Sequence, residues 1–174
     1  MAQTTLANGA SGTVIRNAIN NNFTELYARP RVLASSGVKV DLTGSTTETV
    51  LATITLPALS ANGRIRVTVV YTQTNNANTK TVRGRLNGIA GTAFMSVAQT
   101  AILTNRYQFE IINRGATNSQ VGNVSSVAWS TSSGSPVTSA IDTSVAVDLV
   151  ITGQLGVGTD TLSLESYLVE VLVP

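Results

Sequence analysis

The sequence predicts a mainly β protein, an antiparallel jelly-roll-like β-sandwich preceded by one short α-helix. Three observations carry that reading. Helical periodicity is confined to residues 12–30. From Arg31 onward, short segments with every second residue apolar alternate with clusters of turn-forming residues, the pattern of half-buried antiparallel strands. Charged residues make up 11% of the chain and apolar ones 43%, and the rest is largely Thr, Ser, Asn and Gly, a mixture suited to strands, tight turns and surfaces covered on assembly.

Residues 1–10 are small and polar and read as an extended arm. The helix follows, with Ile15, Ile19, Phe23 and Leu26 recurring every three or four positions along one face. Ser11 and Thr13 both qualify as N-cap, since either hydroxyl can accept an orphan backbone N–H. Pro30 ends the helix because its ring has no N–H and blocks the preceding turn. A helix of about sixteen residues is a rod of about 24 Å, marginal alone in water, so its stripe calls for a partner. Asn22 completes a 4-3-4 spacing with Ile15, Ile19 and Leu26, the seam of a coiled coil, where a polar residue fixes register and oligomer number at some loss of stability. Phe23 lies beside the seam, placed to pack against the β-domain.

The clearest strand is Arg64–Tyr71, with Ile65, Val67, Val69 and Tyr71 on one face and Arg64, Arg66 and Thr68 on the other. Asn62-Gly63 before it suits the positive φ of a hairpin turn. Val50, Ala52, Ile54 and Leu56 alternate with threonines in the preceding strand. Leu103, Asn105, Tyr107, Phe109 and Ile111 line one face of a later strand, and Val145, Val147, Leu149 and Ile151 line another. Weaker strands fall near 37–42, 79–87, 92–98 and 121–129, with polar loops at 74–79, 113–119 and 130–136. In total, eight to ten strands are expected. In the last one, Leu162 and Leu164 share a face while Tyr167, Val169, Val171 and Val173 fall in the other phase. Either a bulge between Glu165 and Ser166 switches the phase, or both faces are covered, one of them by a neighbouring subunit; the second is preferred.

A length of 174 residues accommodates one domain with an appendage, divided here as an arm and attachment helix (1–30) and a sandwich (31–174). The net charge is +2 and the pI near 9.3, without any block of like charge, so the basic stripe and module of a nucleic-acid reader are missing. No apolar run reaches the roughly eighteen residues of a membrane span, and MAQTTLANGASG does not have the pattern of a signal peptide. Neither membrane nor nucleic acid is an expected partner, and synthesis in the cytoplasm is expected.

With no histidine and no cysteine in the chain, Ser-His-Asp and Cys-His nucleophiles and the common zinc and iron ligand sets are excluded. Carboxylate pairs remain, with Glu165 and Glu170 on opposite faces of one strand unless a phase change reunites them. The chain therefore reads as a non-enzyme without cofactor or metal. Gly153–Gly158 (GQLGVG) has the composition of a phosphate loop, but β-patterned sequence follows where such a loop needs a helix, so it reads as a hairpin connection.

The run Val14–Tyr27, and NNNFTELY (Asn20–Tyr27) above all, resembles the N-terminal segment of many tailed-bacteriophage virion proteins. In those fibre, spike and decoration proteins a stretch R-x-x-I-N-x-N-F-x-E-L-Y precedes the first β-domain and forms a three-helix bundle. The matching residues are Arg16, Ile19, Asn20, Asn22, Phe23, Glu25, Leu26 and Tyr27. The resemblance implies a virion location and a homotrimer attached to other virion proteins of capsid or tail, with Ile15, Ile19, Asn22, Phe23, Leu26 and Tyr27 forming the assembly and attachment helix. It covers only the helix and does not distinguish head from tail.

Two candidate surfaces lie in the β region. Arg64/Arg66 and Arg83/Arg85 are i, i+2 pairs, so each pair projects from one strand face. Were the two strands neighbours, four guanidinium groups would form one patch for an acidic capsid surface or an anionic glycan; otherwise they form a polar outer face that discourages edge aggregation. Trp129, beside the 130–136 loop, and Tyr71, Tyr107 and Tyr167 are placed either to stack on sugar rings or to anchor a core or interface. The functional expectation is a homotrimeric capsid decoration or head-fibre protein. The alternative is a tail-fibre or tail-spike adhesin binding host cell-surface glycan.

Overall fold

The computed structural model describes residue 9 and residues 11–27, 30–123 and 134–173, with only the backbone described for 24–27 and 173. Among the described residues it contains one helix, α1 (Gly12–Tyr27), and eleven strands. The strands are β1 (Arg31–Ser36), β2 (Val40–Thr43), β3 (Thr49–Leu56), β4 (Arg64–Gln73), β5 (Lys80–Leu86), β6 (Thr92–Gln99), β7 (Thr104–Asn113), β8 (Gln120–Gly122), β9 (Val137–Ser139), β10 (Val147–Leu155) and β11 (Thr161–Val173). Ser11 caps α1: its carbonyl accepts from the Ile15 N–H at 3.1 Å and its Oγ from the Val14 N–H at 3.4 Å.

The antiparallel pairings are nested. β5 pairs with β6, β4 with β7 and β3 with β10, while β1 and β2 pair end to end along β11. A chain folded back on itself in this way and then rolled up is a jelly roll. Two further ladders, β4 with β11 and β5 with β10, close the roll. The resulting sheets run β1-β11-β4-β7-β8-β9, with β2 also on β11, and β3-β10-β5-β6. Their inner faces meet over Ile65, Val67, Val69, Phe109, Ile111, Leu162 and Val169 from the larger sheet, and Ile54, Leu56, Val82, Leu86, Leu149 and Ile151 from the smaller.

β4 shows the expected alternation without interruption, with every second residue from Ile65 to Gln73 buried. Elsewhere, irregularities correct the simple pattern. In β3 the register shifts opposite Ile151/Thr152. Leu51 is therefore buried, and Val50, expected on the inner face, is 38% exposed. Leu103 and Val145, expected to open strands, precede β7 and β10 and are 60% and 58% exposed. In β11 the pairing with β4 skips Glu165, Leu164 facing Tyr71 and Ser166 facing Val70. That bulge turns Val169 and Val171 into the same core as Leu162 and Leu164, all within 1% of full burial. A second subunit is not needed to account for the apolar pattern of β11.

Two expected hairpins are crossings between sheets. Asn62-Gly63 links β3 in the smaller sheet to β4 in the larger. Neither residue has positive φ; instead Gly63 donates to Ser60 O at 2.9 Å, and a Cβ there would lie 2.8 Å from Leu59 Cβ. Glycine is required by close approach rather than by handedness. The GQLGVG segment ends β10 and then crosses to β11 in the other sheet. A true hairpin turn follows β5, where Asn87 (φ 73°) and Gly88 (φ 75°) are both left-handed.

At Gly84 of β5, an added Cβ would lie 2.2 Å from Phe109 Cζ and 2.7 Å from Cε1. The Phe109 ring from the larger sheet thus fills the space that a side chain on β5 would occupy. Gly84→Ala is expected to destabilise the fold by about 1–3 kcal/mol through overpacking, read as a lowered Tm. Phe109→Leu is expected to be less harmful in the Gly84→Ala background than in the parent chain, because the two residues share one space.

Candidate functional site

The first candidate surface is α1. Val14, Ile15, Ile19 and Phe23 are 52%, 38%, 42% and 52% exposed, while Ala18, one turn from Val14 and Ile15, is 3% exposed and so is covered. Asn22, in register with Ile15 and Ile19, is also exposed. Leu26 and Tyr27 belong to α1 by their backbone; their side chains lie outside the described residues. A single chain therefore leaves the larger apolar side chains of α1 in part open to water, where their burial against a partner is favourable at roughly 25 cal/mol per Å².

The arginine pairs do not form one patch. β4, with Arg64 and Arg66, belongs to the larger sheet, and β5, with Arg83 and Arg85, to the smaller. On the larger sheet, Arg66 and Glu110 are directly cross-strand. Arg66 Nε and Nη2 both donate to Glu110 Oε1 at 2.9 Å, and Arg64 Nη1 lies 3.6 Å from Oε2. Beside them a shallow cleft of about 240 Å³ is lined by Gln108, Phe109, Glu110, Ile112 and Asn123.

On the smaller sheet, Arg85 grips Glu48 with a two-pronged fork, Nε to Oε1 at 2.7 Å and Nη2 to Oε2 at 2.9 Å. Arg83 Nη1 is 3.1 Å from Glu48 Oε2 and donates to Gln154 Oε1 at 3.0 Å, and Thr152 Oγ1 donates to Glu48 Oε1 at 2.6 Å. Burial pushes the Glu48 carboxyl up. Hydrogen bonds from Arg85 and Thr152 and the positive charge of Arg83 and Arg85 outweigh it and hold the group below its ordinary value. Glu48 sits in the segment that carries the chain from β2 in one sheet to β3 in the other, so this cluster fastens a crossing of the roll.

The aromatic residues divide differently from expectation. Tyr71 is 1% exposed in the core, and burial drives its phenol far above its ordinary value. Tyr107 and Tyr167 are half-buried against the same core. Tyr71 is thus a core anchor, while Tyr107 and Tyr167 keep part of their surface in solvent. Trp129 lies outside the described residues.

Two polar networks at opposite ends of the roll were missed by the sequence reading. At one end Gln120, fully buried, donates from Nε2 to Asn113 Oδ1 (3.0 Å), Thr117 O (2.9 Å) and Ile141 O (2.9 Å). Its Oε1 accepts from Ser139 Oγ (2.7 Å) and the Ile141 N–H (3.1 Å). At the other end Lys80, also fully buried, lies 3.1 Å from Asp160 Oδ2, itself 4% exposed. Asp160 accepts from Asn76 Nδ2 at 2.8 Å and Asn78 Nδ2 at 3.1 Å. Burial pushes the Asp160 carboxyl up, but the hydrogen bonds from Asn76, Asn78 and Lys80 and the charge of Lys80 prevail and hold it below its ordinary value. The signal for this site was present: Lys80 falls in phase with Val82 and Leu86, on the inward face of β5.

The fold and these surfaces define a class: a jelly-roll β-sandwich with an exposed N-terminal helix. No family model matches the chain, and no curated protein matches it. Among solved structures, it is similar to a chain from "Bacillus endospore appendages", described as a family of disulfide-linked pili, with TM-score 0.45 and 12% identity over 98% of this chain and 100% of that one. A chain of infectious bursal disease virus, Gx strain, gives TM-score 0.41 and 16% identity over 83% of this chain and 33% of that one. The CBM2 module of the Lactobacillus casei BL23 phage J-1 evolved Dit gives 0.37 and 14% over 70% and 69%.

The Glu48 cluster has a defined pH signature. A carboxyl whose pKa is depressed by folding adds stability that is complete above its unfolded value and is lost as pH falls through the folded one. Glu48→Gln is expected to lower Tm at pH 7, and the gap from the parent chain is expected to narrow below about pH 4.3. Thermal denaturation of both proteins from pH 7 to pH 3 measures it.

Proposed function

We propose that the chain is a bacteriophage virion structural protein, a homotrimeric decoration or head-fibre protein held to the particle by its N-terminal segment, with the jelly roll facing outward. The observation that carries this reading is the exposure of Val14, Ile15, Ile19 and Phe23 on α1. Its 4-3-4 seam with Asn22 suits a bundle of identical helices. The similarity of Asn20–Tyr27 to phage virion segments supplies the number three and the particle. Homologous helices, other virion proteins and a virion location are the partners and place that follow.

A second reading, a tail-fibre or tail-spike adhesin for host glycan, draws on the cleft beside Arg66. Glu110 offers an acceptor, Gln108 and Asn123 carry amides, and Ile112 offers an apolar patch, groups that suit hydroxyl-rich rings.

Light scattering on the full chain tests the first reading. The expected mass is about three times the 18.1 kDa of one chain. Ile15→Asp with Ile19→Asp is expected to reduce it to a single chain while the β-sheet circular dichroism persists. A parent chain that is monomeric, or a variant that stays trimeric, removes α1 as the trimerising element. Reproducible binding on a glycan array, weakened by Gln108→Ala, would instead favour the adhesin.

A further inference from the structure

We propose that Lys80 and Asn76 join through their side chains in a self-formed isopeptide bond, with Asp160 as the catalytic residue that carries the protons. The reaction occurs once per chain and is independent of the assembly reading above.

The three residues come from the loop between β4 and β5, the first position of β5 and the crossing before β11. Lys80 is fully buried and Asp160 is 4% exposed. The Lys80 ammonium donates to Asn76 Oδ1, to Asn78 O at 3.0 Å and to Asp160 Oδ2 at 3.1 Å, so the amine is held against the Asn76 carboxamide. The Asn76 carbonyl oxygen also accepts the Asn78 backbone N–H at 3.0 Å, a donor placed to stabilise negative charge developing on that oxygen. The amide nitrogen of Asn76, which has to leave, donates to Asp160 Oδ1 at 2.8 Å. One carboxylate therefore touches both the nucleophilic and the departing nitrogen, the arrangement that general acid–base catalysis of acyl transfer needs. An amide in water resists an amine, but burial of Lys80 and Asp160 limits water at the nucleophile and its base, and fixed proximity supplies a large effective concentration.

The step balances without a further reactant. Asp160 takes a proton from the Lys80 ammonium, and the freed Nζ attacks Asn76 Cγ to form the Cγ–Nζ bond. The tetrahedral oxyanion is held by the Asn78 N–H. Collapse breaks the Cγ–Nδ2 bond as the Asp160 carboxyl returns that proton to Nδ2, and Asp160 then passes a second proton from Nζ to the departing ammonia. Of the three ammonium hydrogens, one stays on the new amide nitrogen and two leave with Nδ2 as ammonium. No atom is oxidised or reduced. The product ties Lys80 to the β4–β5 loop beneath the crossing at Asp160.

Mass spectrometry of the purified full chain is decisive. After allowing for removal of Met1, the intact mass is expected to be one ammonia below that of the sequence. Trypsin is expected to leave residues 67–83 as one peptide, uncut after Lys80 and carrying the loss, which survives mild base. Lys80→Arg and Asp160→Asn are expected to show no such loss. An intact mass equal to the sequence overturns the proposal even if neither variant folds. So does an ammonia loss in peptides still cleaved after Lys80, as a base-labile succinimide at Asn62-Gly63 or Asn87-Gly88 would give. A cross-link that persists in folded Asp160→Asn removes Asp160 from the chemistry.

Discussion

The bulge at Glu165 is the feature on which the roll depends. β11 pairs with β4 on one side and with β1 and β2 on the other, so it holds the first strands to the middle of the chain. Its apolar residues change phase midway. A regular strand would bury either Leu162 and Leu164 or Val169 and Val171, and turn the other pair to solvent. Skipping one residue against β4 places all four inside. Each such side chain is worth roughly 1.5–3 kcal/mol when buried, so this irregularity decides whether one long strand or two short ones can close the sandwich. Glu165 is the residue displaced by the bulge, and its carboxylate accepts from Thr72 Oγ1 on β4, which ties the outward residue back to the same partner strand.

A roll closed by nested pairing leaves crossings between the sheets, and their backbone groups need partners. The structure meets this with polar networks. Gln120 satisfies carbonyl and N–H groups of the 113–120 and 139–143 segments at one end. Glu48 fastens the β2–β3 crossing through Arg85. Asp160 gathers the β4–β5 loop and the β10–β11 crossing around Lys80. A buried ion pair gains little over an apolar one, but loss of one member leaves an uncompensated charge. Lys80 therefore serves position and chemistry more than net stability.

What the sequence made legible follows the range of the interactions. β4 could be read residue by residue because burial alternates within one strand, and the Ser11 cap and the α1 stripe are equally local. The bulge at Leu51 was hidden because the extra residue is itself apolar, leaving Val50 and Leu51 both as candidates for the core. The two false hairpins share another cause: turn chemistry reports how the backbone bends, not which sheet receives the next strand. The same limit split the arginine pairs. Their outward phase was readable, but their separation into two sheets is set by strand pairings as distant as Arg66 with Glu110 and Arg85 with Val150. Lys80 is the instructive miss. A lysine in phase with Val82 and Leu86 violates the inward pattern, and such violations mark sites where a distant partner, here Asp160, has been brought in.

The distribution of charge also bears on where this protein meets others. A chain with 11% charged residues has few ionic groups for its surface, and several of these are paired within the sandwich. Arg66 and Arg64 meet Glu110, Arg85 and Arg83 meet Glu48, Lys80 meets Asp160, and Lys39 meets Asp41 at 3.0 Å. Groups already neutralised by a neighbour exert little long-range pull on an ionic partner, and what remains is screened within about 8 Å at physiological salt. The exposed stripe of α1 has the opposite character, apolar and presented on a helix too short to be stable alone. Association through α1 would stabilise that helix as it buries the stripe, so its folding and the joining of chains become a single event.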